Sequence, residues 1–426
     1  MQALLSFDKA PPFAAPLRFF LTAPIFAMAA GLLLAWSGGE MLASRWMPSL
    51  LAAVHLLTIG FMLQIMLGAT IQILPVVAGA NLARPMRVAL WLHGGLSTGA
   101  LLLAAGFWFG QPALLSAAAV ALGLSTFAFL GAAGRALSGV PSTSPTIRGL
   151  KLALAGLAGA VLLGAMLALA LARGWPLPVM AMADLHVGWA LGAWGGTLLA
   201  AMAYVVVPMF QLTPGYPARP SWWFPGLLMA LAVAWGLAIA SDSTGAARVA
   251  QGGMALVGMA FAALTLRLQR QRRRARADAT YRYWQLGLYC AIFALFQALT
   301  ATILPQLADW AGWSLVFGIL MIVGAFMSFI IGMLYKIVPF LAWLHLQNAG
   351  CTPAPAMNKL LPDASMVRQW QAHVLALVLL LGAVVVPDFL ARLAGIALTV
   401  AAGGLFYNLL SIVQRYRAYL EAAKAK

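Results

Sequence analysis

The sequence predicts an all-α polytopic membrane protein with about twelve transmembrane helices in three repeated four-helix units. First, 63% of its 426 residues are hydrophobic and 8% are charged. A soluble fold of that size could not cover its surface with so few charges. Second, apolar runs of roughly 20 residues, long enough to cross about 30 Å of hydrocarbon at 1.5 Å per residue, recur from end to end. Third, one pattern ending in proline occurs three times: Gly68-Ala69-Thr70-Ile71-Gln72-Ile73-Leu74-Pro75, Ala201-Met202-Ala203-Tyr204-Val205-Val206-Val207-Pro208 and Gly332-Met333-Leu334-Tyr335-Lys336-Ile337-Val338-Pro339. The prolines are 133 and 131 residues apart. Small residues stand seven back (Gly68, Ala201, Gly332) and fifteen back (Gly60, Ala193, Gly324), and a polar one eleven back (Gln64, Thr197, Ser328). A period of about 130 residues leaves room for four membrane helices per unit. The units are expected over about 17–140, 148–268 and 282–416 of a single transmembrane domain, 1–426.

Met1–Pro16 reads as a short polar tail without the pattern of a cleavable signal. The first helix is placed near 18–37. The second, 49–78, carries His55 about six residues from its start and Gln64 farther in. The third, 86–108, carries His93 beside Gly94 and Gly95, and the fourth spans 112–133. Ser138–Arg148, rich in Ser, Thr and Pro, separates the first unit from the second. The fifth helix, 150–172, leads to the sixth, 179–212, with Asp184 and His186 near its start. The seventh and eighth, 222–240 and 246–267, precede the polar stretch Gln269–Tyr283. The ninth to twelfth are placed at 283–304, 311–345, 370–387 and 391–414. The second helix of each unit, at roughly 30 to 35 residues, exceeds the bilayer and must tilt or overhang it. The closing prolines are expected to break the hydrogen-bond ladder and turn the chain. The small residues allow neighbours to approach closely. All three motifs run the same way through the membrane, so the repeats are parallel.

The net charge of +17 raises nucleic acid as a partner, but its distribution argues for a bilayer instead. With the N-terminus in the cytoplasm, every Lys and Arg except Arg45, Arg173, Arg248 and Arg392 falls on the inner side. The positive-inside rule then gives cytoplasmic N- and C-termini in a bacterial inner membrane. Arg267–Arg276 becomes a cytoplasmic loop near anionic headgroups, with no nucleic-acid role. Trp175, Trp222, Trp223, Trp310 and Trp313 fit an interfacial belt. No nucleotide-binding loop, Ser-His-Asp arrangement or paired-carboxylate motif occurs, which argues against hydrolytic or ATP-driven chemistry by this chain alone. Cys290 and Cys351 form no CxxC or Cys/His motif.

Polar groups inside a bilayer are costly and are functional candidates by default. His55 and His186 lie 20 and 22 residues before their prolines, at one depth on related helices, roughly 10 Å below the outer surface at 1.5 Å per residue. Two imidazoles so placed suit axial haem ligation or a copper site. His93 is a weaker metal candidate, since it enters from the other side. His345 and His373 are placed near the cytoplasmic ends of their helices, where interfacial water would solvate them. Asp184 could orient an imidazole or close a salt bridge, but is expected to face water, because a spacing of two turns it away from His186. Lys336 is expected to snorkel to the inner surface. Gln64, Thr197 and Ser328 suit either the lining of an inner face or bonds between helices.

Twelve helices in three units, with histidines near the outer ends of the second and sixth, resemble the catalytic subunit of haem-copper oxidases. That resemblance implies a low-spin haem ligand at His55 and a copper ligand at His186. The family's further histidines have no counterpart in Trp222–Ala240 or in Ala311–Ser328, so no complete oxygen- or nitric-oxide-reducing centre assembles. His55-Leu56-Leu57-Thr58-Ile59-Gly60-Phe61, followed by Leu74-Pro75 and Gly79, is similar to the His-x4-Gly-Phe helix and Pro-x-x-x-Gly exit of the NnrS family. Leu56 stands where that family usually has an acidic residue. The resemblance implies an accessory haem b- or copper-binding protein, without an enzyme's full ligand set, that serves nitric oxide tolerance or the maturation of a respiratory oxidase. Respiratory-chain or oxidase-assembly proteins would be its partners. The rival expectations are a permease for a small or hydrophobic substrate and a cofactor-free structural subunit.

Overall fold

The computed structural model describes residues 6–273, 276–351 and 353–424. Parts of the expected tail (residues 1–5) and of the basic loop Arg267–Arg276 (residues 274–275) lie outside the described residues. Twelve helices are long and apolar enough to cross a membrane: α1 (Ala14–Leu42), α2 (Pro48–Ala78), α3 (Pro85–Trp108), α4 (Pro112–Ser138), α5 (Pro145–Arg173), α6 (Val179–Gln211), α7 (Ala218–Ala240), α8 (Thr244–Arg270), α9 (Ala279–Ile303), α10 (Gly312–Asn348), α11 (Asp363–Val385) and α12 (Pro387–Ala423). No strand occurs among the described residues. The protein is an all-α polytopic membrane protein. In lipid, each of these segments must satisfy its own backbone polar groups, and the α-helix does so within one segment. An even number of crossings puts both chain ends on one face, called here the terminal face; the other is the far face.

Local chemistry sets the helix ends. Pro48, Pro85, Pro112 and Pro145 open helices at the first turn, where the missing N–H costs nothing. In the hinge after α4, the Ser144 hydroxyl accepts from the Ile147 amide at 3.2 Å, and Asp278 caps α9 through the Tyr281 amide at 2.9 Å. After α2 the chain leaves through Gly79 at φ 66°, a conformation that costs a glycine little.

One packing pattern recurs three times. The first and second helices of each unit pack together (α1–α2, α5–α6, α9–α10), as do the third and fourth (α3–α4, α7–α8, α11–α12). The units join through α4–α5, α8–α9 and α12–α1, which closes a ring. Inside it stand α2, α6 and α10, the three most buried helices. The repeated small residues lie at these contacts. A Cβ on Gly68 or Gly332 would come within 2.8 Å of Phe19 or Tyr283 respectively, on the unit's first helix. In the middle unit the roles reverse: Ala201 lies on the long helix, and Gly149 of α5 makes room for it.

The long helices share a feature that periodicity does not reveal. Each winds as a π-helix over one stretch: Leu56–Leu63, Gly188–Gly196 and Ile319–Met327. All three stretches stop twelve residues before the repeat proline. The next residues are Gln64, Thr197 and Ser328, each fully buried. Gln64 donates to Ser97 of α3 at 3.1 Å, and Ser328 bonds His373 of α11 at 3.0 Å. At two of these three polar positions the side chain thus joins helices, as one of the two sequence readings allowed, whereas Thr197 turns back to the Gly192 carbonyl of its own helix at 3.5 Å.

Two expectations change. Pro75 and Pro208 stand within a turn of their helix ends, but α10 continues past Pro339 to Asn348. Its tail is held by burial of Leu341, Leu344 and Leu346 and by Phe340 against Phe7 and Phe210, at 5.2 and 6.5 Å between centroids. That packing outweighs the lost backbone bond. In addition α11 begins at Asp363, seven residues before its predicted start, and α12 is as long as α10 at 37 residues.

Candidate functional site

The far-face half of the ring encloses a cavity of about 940 Å³. Its inner wall is built from the three π-helical stretches, with Thr58 and Met62 of α2, Gly192 and Gly195 of α6, and Ile322 and Phe326 of α10 lining it. A π turn carries an extra residue and widens the helix locally, and such stretches are frequent at functional sites. The walls are mostly apolar.

His55 and His186 both line this cavity. The His55 ring stacks on Phe107 of α3, 5.4 Å between centroids, and its Nδ1 lies 2.7 Å from the Leu51 carbonyl one turn earlier. His186 sets its Nδ1 3.0 Å from the Ala160 carbonyl of α5. Its ring rests on Gly164, where a Cβ would meet Cε1 at 2.9 Å, so glycine is the residue that admits the imidazole there. A carbonyl oxygen can only accept, so Nδ1 carries the proton in both rings. Nε2 is then left with a free lone pair, the tautomer a metal or haem iron requires.

Further features of the cavity were not legible in the sequence. Gly123 of α4 and Gly318 of α10 line it, and a Cβ on either would have no neighbour within 4 Å. The Thr126 hydroxyl, on a fully buried residue of the same wall, has no hydrogen-bond partner. Arg45, Asp184 and Arg248 stand at its far-face end.

The other sequence candidates lie elsewhere. His93 is not part of the cavity; its Nε2 bonds the Thr22 hydroxyl at 2.9 Å and its ring meets Phe19 edge-on at 5.3 Å. His373 is fully buried rather than interfacial, because α11 starts two turns earlier than expected. Its Nε2 bonds Ser328, and its Nδ1 lies near the Val323 carbonyl without reaching hydrogen-bond geometry. His345 stacks on Phe13 at 5.6 Å. Asp184 is held by Arg45 at 2.5 Å, a pair across units and 139 residues; the structure thus has the salt bridge that the sequence reading set behind solvation. Lys336 does not snorkel freely, since its ammonium pairs with Asp278 at 2.8 Å. Among the described residues, no three His, Cys, Asp or Glu side chains group closely enough to hold a metal ion.

No protein-family model matches the chain, and no curated protein matches it significantly.

Proposed function

We propose that this is an accessory haem-binding membrane protein, with the far-face cavity as the haem site and His55 and His186 as the residues that would hold the haem. One observation carries the reading: two imidazoles, each anchored through Nδ1 to a backbone carbonyl, offer free Nε2 atoms to one large apolar cavity. Residues present there fit a porphyrin. Apolar walls suit its rings, Gly123 and Gly318 leave space that a side chain would fill, and cations stand at one end. Iron bound there would supply ligation of small gases or one-electron transfer. The chain's own part is to fix the imidazole tautomer, exclude water and hold the ligand's orientation. Copper fits less well, because it would need donors beyond the two imidazoles, and Asp184 is engaged by Arg45.

The resemblance to NnrS-like and haem-copper-oxidase-like proteins supports the same reading and extends it to nitric oxide tolerance or oxidase maturation. The charge asymmetry supports a bacterial inner membrane with cytoplasmic termini. A role as permease rests on the same apolar cavity and is the reading that remains if no cofactor binds. The test is an absorption spectrum of the purified protein supplied with haemin, with copper analysis on the same preparation. A Soret band that shifts or disappears in His55→Ala or His186→Ala supports the proposal. A folded protein whose spectrum neither substitution alters sinks it.

A further inference from the structure

Among the described residues, only four Lys or Arg stand toward the far face: Arg45, Arg173, Arg248 and Arg392. Arg392 is consumed by structure, donating to the Ala35 and Trp36 carbonyls at 3.0 and 3.1 Å. Arg173 is the last residue of α5, where the helix dipole favours a cation. The other two both line the cavity. The exposed Arg248 has no polar side-chain partner among the described residues. Arg45 packs over the Trp46 ring at 4.9 Å and pairs with Asp184, the only acid in the cavity lining. In a wall that is mostly apolar, and on a face otherwise poor in cations, two guanidinium groups at one end of the cavity are a polarity marker for its occupant.

The Arg45–Asp184 pair is suited to exchange. Its side chains are 38% and 43% exposed, so water screens it, and such pairs contribute only about 0–1 kcal/mol. An incoming carboxylate can take the place of the Asp184 carboxylate on the same guanidinium, and the released Asp184 is solvated where it stands. We infer that the occupant of the cavity is an apolar molecule bearing carboxylate at one edge, and that Arg45 is handed from Asp184 to that edge, with Arg248 as the second cation. The inference rests on the proposed site but not on iron. Porphyrin dicarboxylates and long-chain fatty acids share this chemistry.

The test uses the full chain in lipid nanodiscs with metal-free protoporphyrin IX, its dimethyl ester and palmitate, read by fluorescence. The dicarboxylate is expected to bind at least about tenfold more tightly than the diester, as one charge-assisted contact would give. Arg45→Gln should shrink that preference to about threefold or less while leaving diester binding unchanged, which also shows that the cavity is folded. Asp184→Asn should tighten dicarboxylate binding by about threefold, because Arg45 no longer has to be released. Palmitate that displaces porphyrin from the parent protein but not from Arg45→Gln would assign the carboxylate to a fatty acid. Equal binding of acid and ester, no binding of either, or a preference that survives Arg45→Gln overturns the inference. None of these probes contains iron, so a failed haem spectrum and a failed carboxylate preference are separate results.

Discussion

The far-face cavity and the terminal-face half of the third unit are built on the same repeated helices, yet they treat polar atoms in opposite ways. At the heights of His55 and His186, the third long helix carries Ile319 and Phe317, which line the same cavity. The polar residues of this third unit lie deeper, in a closed chain. The Gln369 carbonyl oxygen accepts from the hydroxyls of Tyr283 and of Tyr335, the latter at 3.1 Å. Its amide donates to the Ala401 carbonyl at 3.0 Å. Asn408 donates to Tyr335 at 2.8 Å and to the Ser365 carbonyl at 3.3 Å. Here the polar atoms of Gln369, Asn408 and the two tyrosines are spent in joining α9, α10, α11 and α12, although the Trp284 and Trp370 indole N–H groups and His373 Nδ1 near them have no partner. In the cavity, two Nε2 atoms and the Thr126 hydroxyl are left unspent. A buried polar side chain inside a membrane protein is therefore a site candidate when its atoms lack partners and it lines a cavity, not by its being there.

The largest effect should come from a glycine at a packed contact. Gly156 of α5 lies against the Ala193 carbonyl and the Trp194 amide, within the π-helical stretch of α6. Backbone cannot step aside as a side chain can. Gly156→Leu is expected to cost about 3 kcal/mol, the upper end for overpacking, seen as a lower melting temperature in detergent. A melting temperature equal to the parent's would mean that α5 and α6 are not in register as described.

Next is the closed chain. Gln369→Leu removes an acceptor from two buried hydroxyls and a donor from a carbonyl. Interhelical hydrogen bonds in membranes average only about 0.6 kcal/mol each, so the three losses together should cost about 2 kcal/mol. Haemin binding at the cavity should not change. If stability holds and haemin affinity drops instead, the two regions are coupled and the contrast between them fails.

The glycines of the cavity should respond the other way. Gly123→Leu and Gly318→Leu extend into open space, so stability should stay within about 0.5 kcal/mol of the parent. Ligand affinity should fall by about tenfold or more, since the added side chain takes the ligand's volume. Unchanged affinity in both would show that the ligand sits elsewhere.

What the sequence made legible follows from where each feature is encoded. Twelve helices could be read because hydrocarbon forces the helix on any long apolar run. The three units showed in the spacing of Pro75, Pro208 and Pro339. The π-helical stretches could not be read, because a change of backbone register leaves no mark in the spacing of residue types. His55 and His186 were found from their depth, but the groups that fix their tautomers are the carbonyls of Leu51 and Ala160, which no side-chain pattern records. His373 was placed at the interface because Arg368, Gln369 and Gln371 lower the hydropathy where α11 has already begun. The pairs Arg45–Asp184 and Lys336–Asp278 join residues far apart in sequence; packing between the first two units brings the former together, and packing of α9 on α10 the latter. The scarcity of far-face cations was a signal in plain view for Arg45 and Arg248.

The smallest test compares two threonines. The Thr280 hydroxyl of α9 donates to the Gly332 carbonyl of α10 at 3.0 Å, whereas the Thr126 hydroxyl in the cavity wall has no partner. Valine matches threonine closely in shape, so the substitution mainly removes a hydroxyl. Thr280→Val should lose about 0.6 kcal/mol, one interhelical bond. Thr126→Val should lose nothing and gain up to about 1 kcal/mol, because an unpaired buried hydroxyl is a cost that the methyl group removes. With ligand present the order should reverse at Thr126 if the hydroxyl has been kept for the ligand: the valine variant would then bind more weakly than the parent despite its greater stability. A Thr126→Val protein that is more stable and binds equally well would make the hydroxyl an idle polar group and reduce the site to its imidazoles and cations.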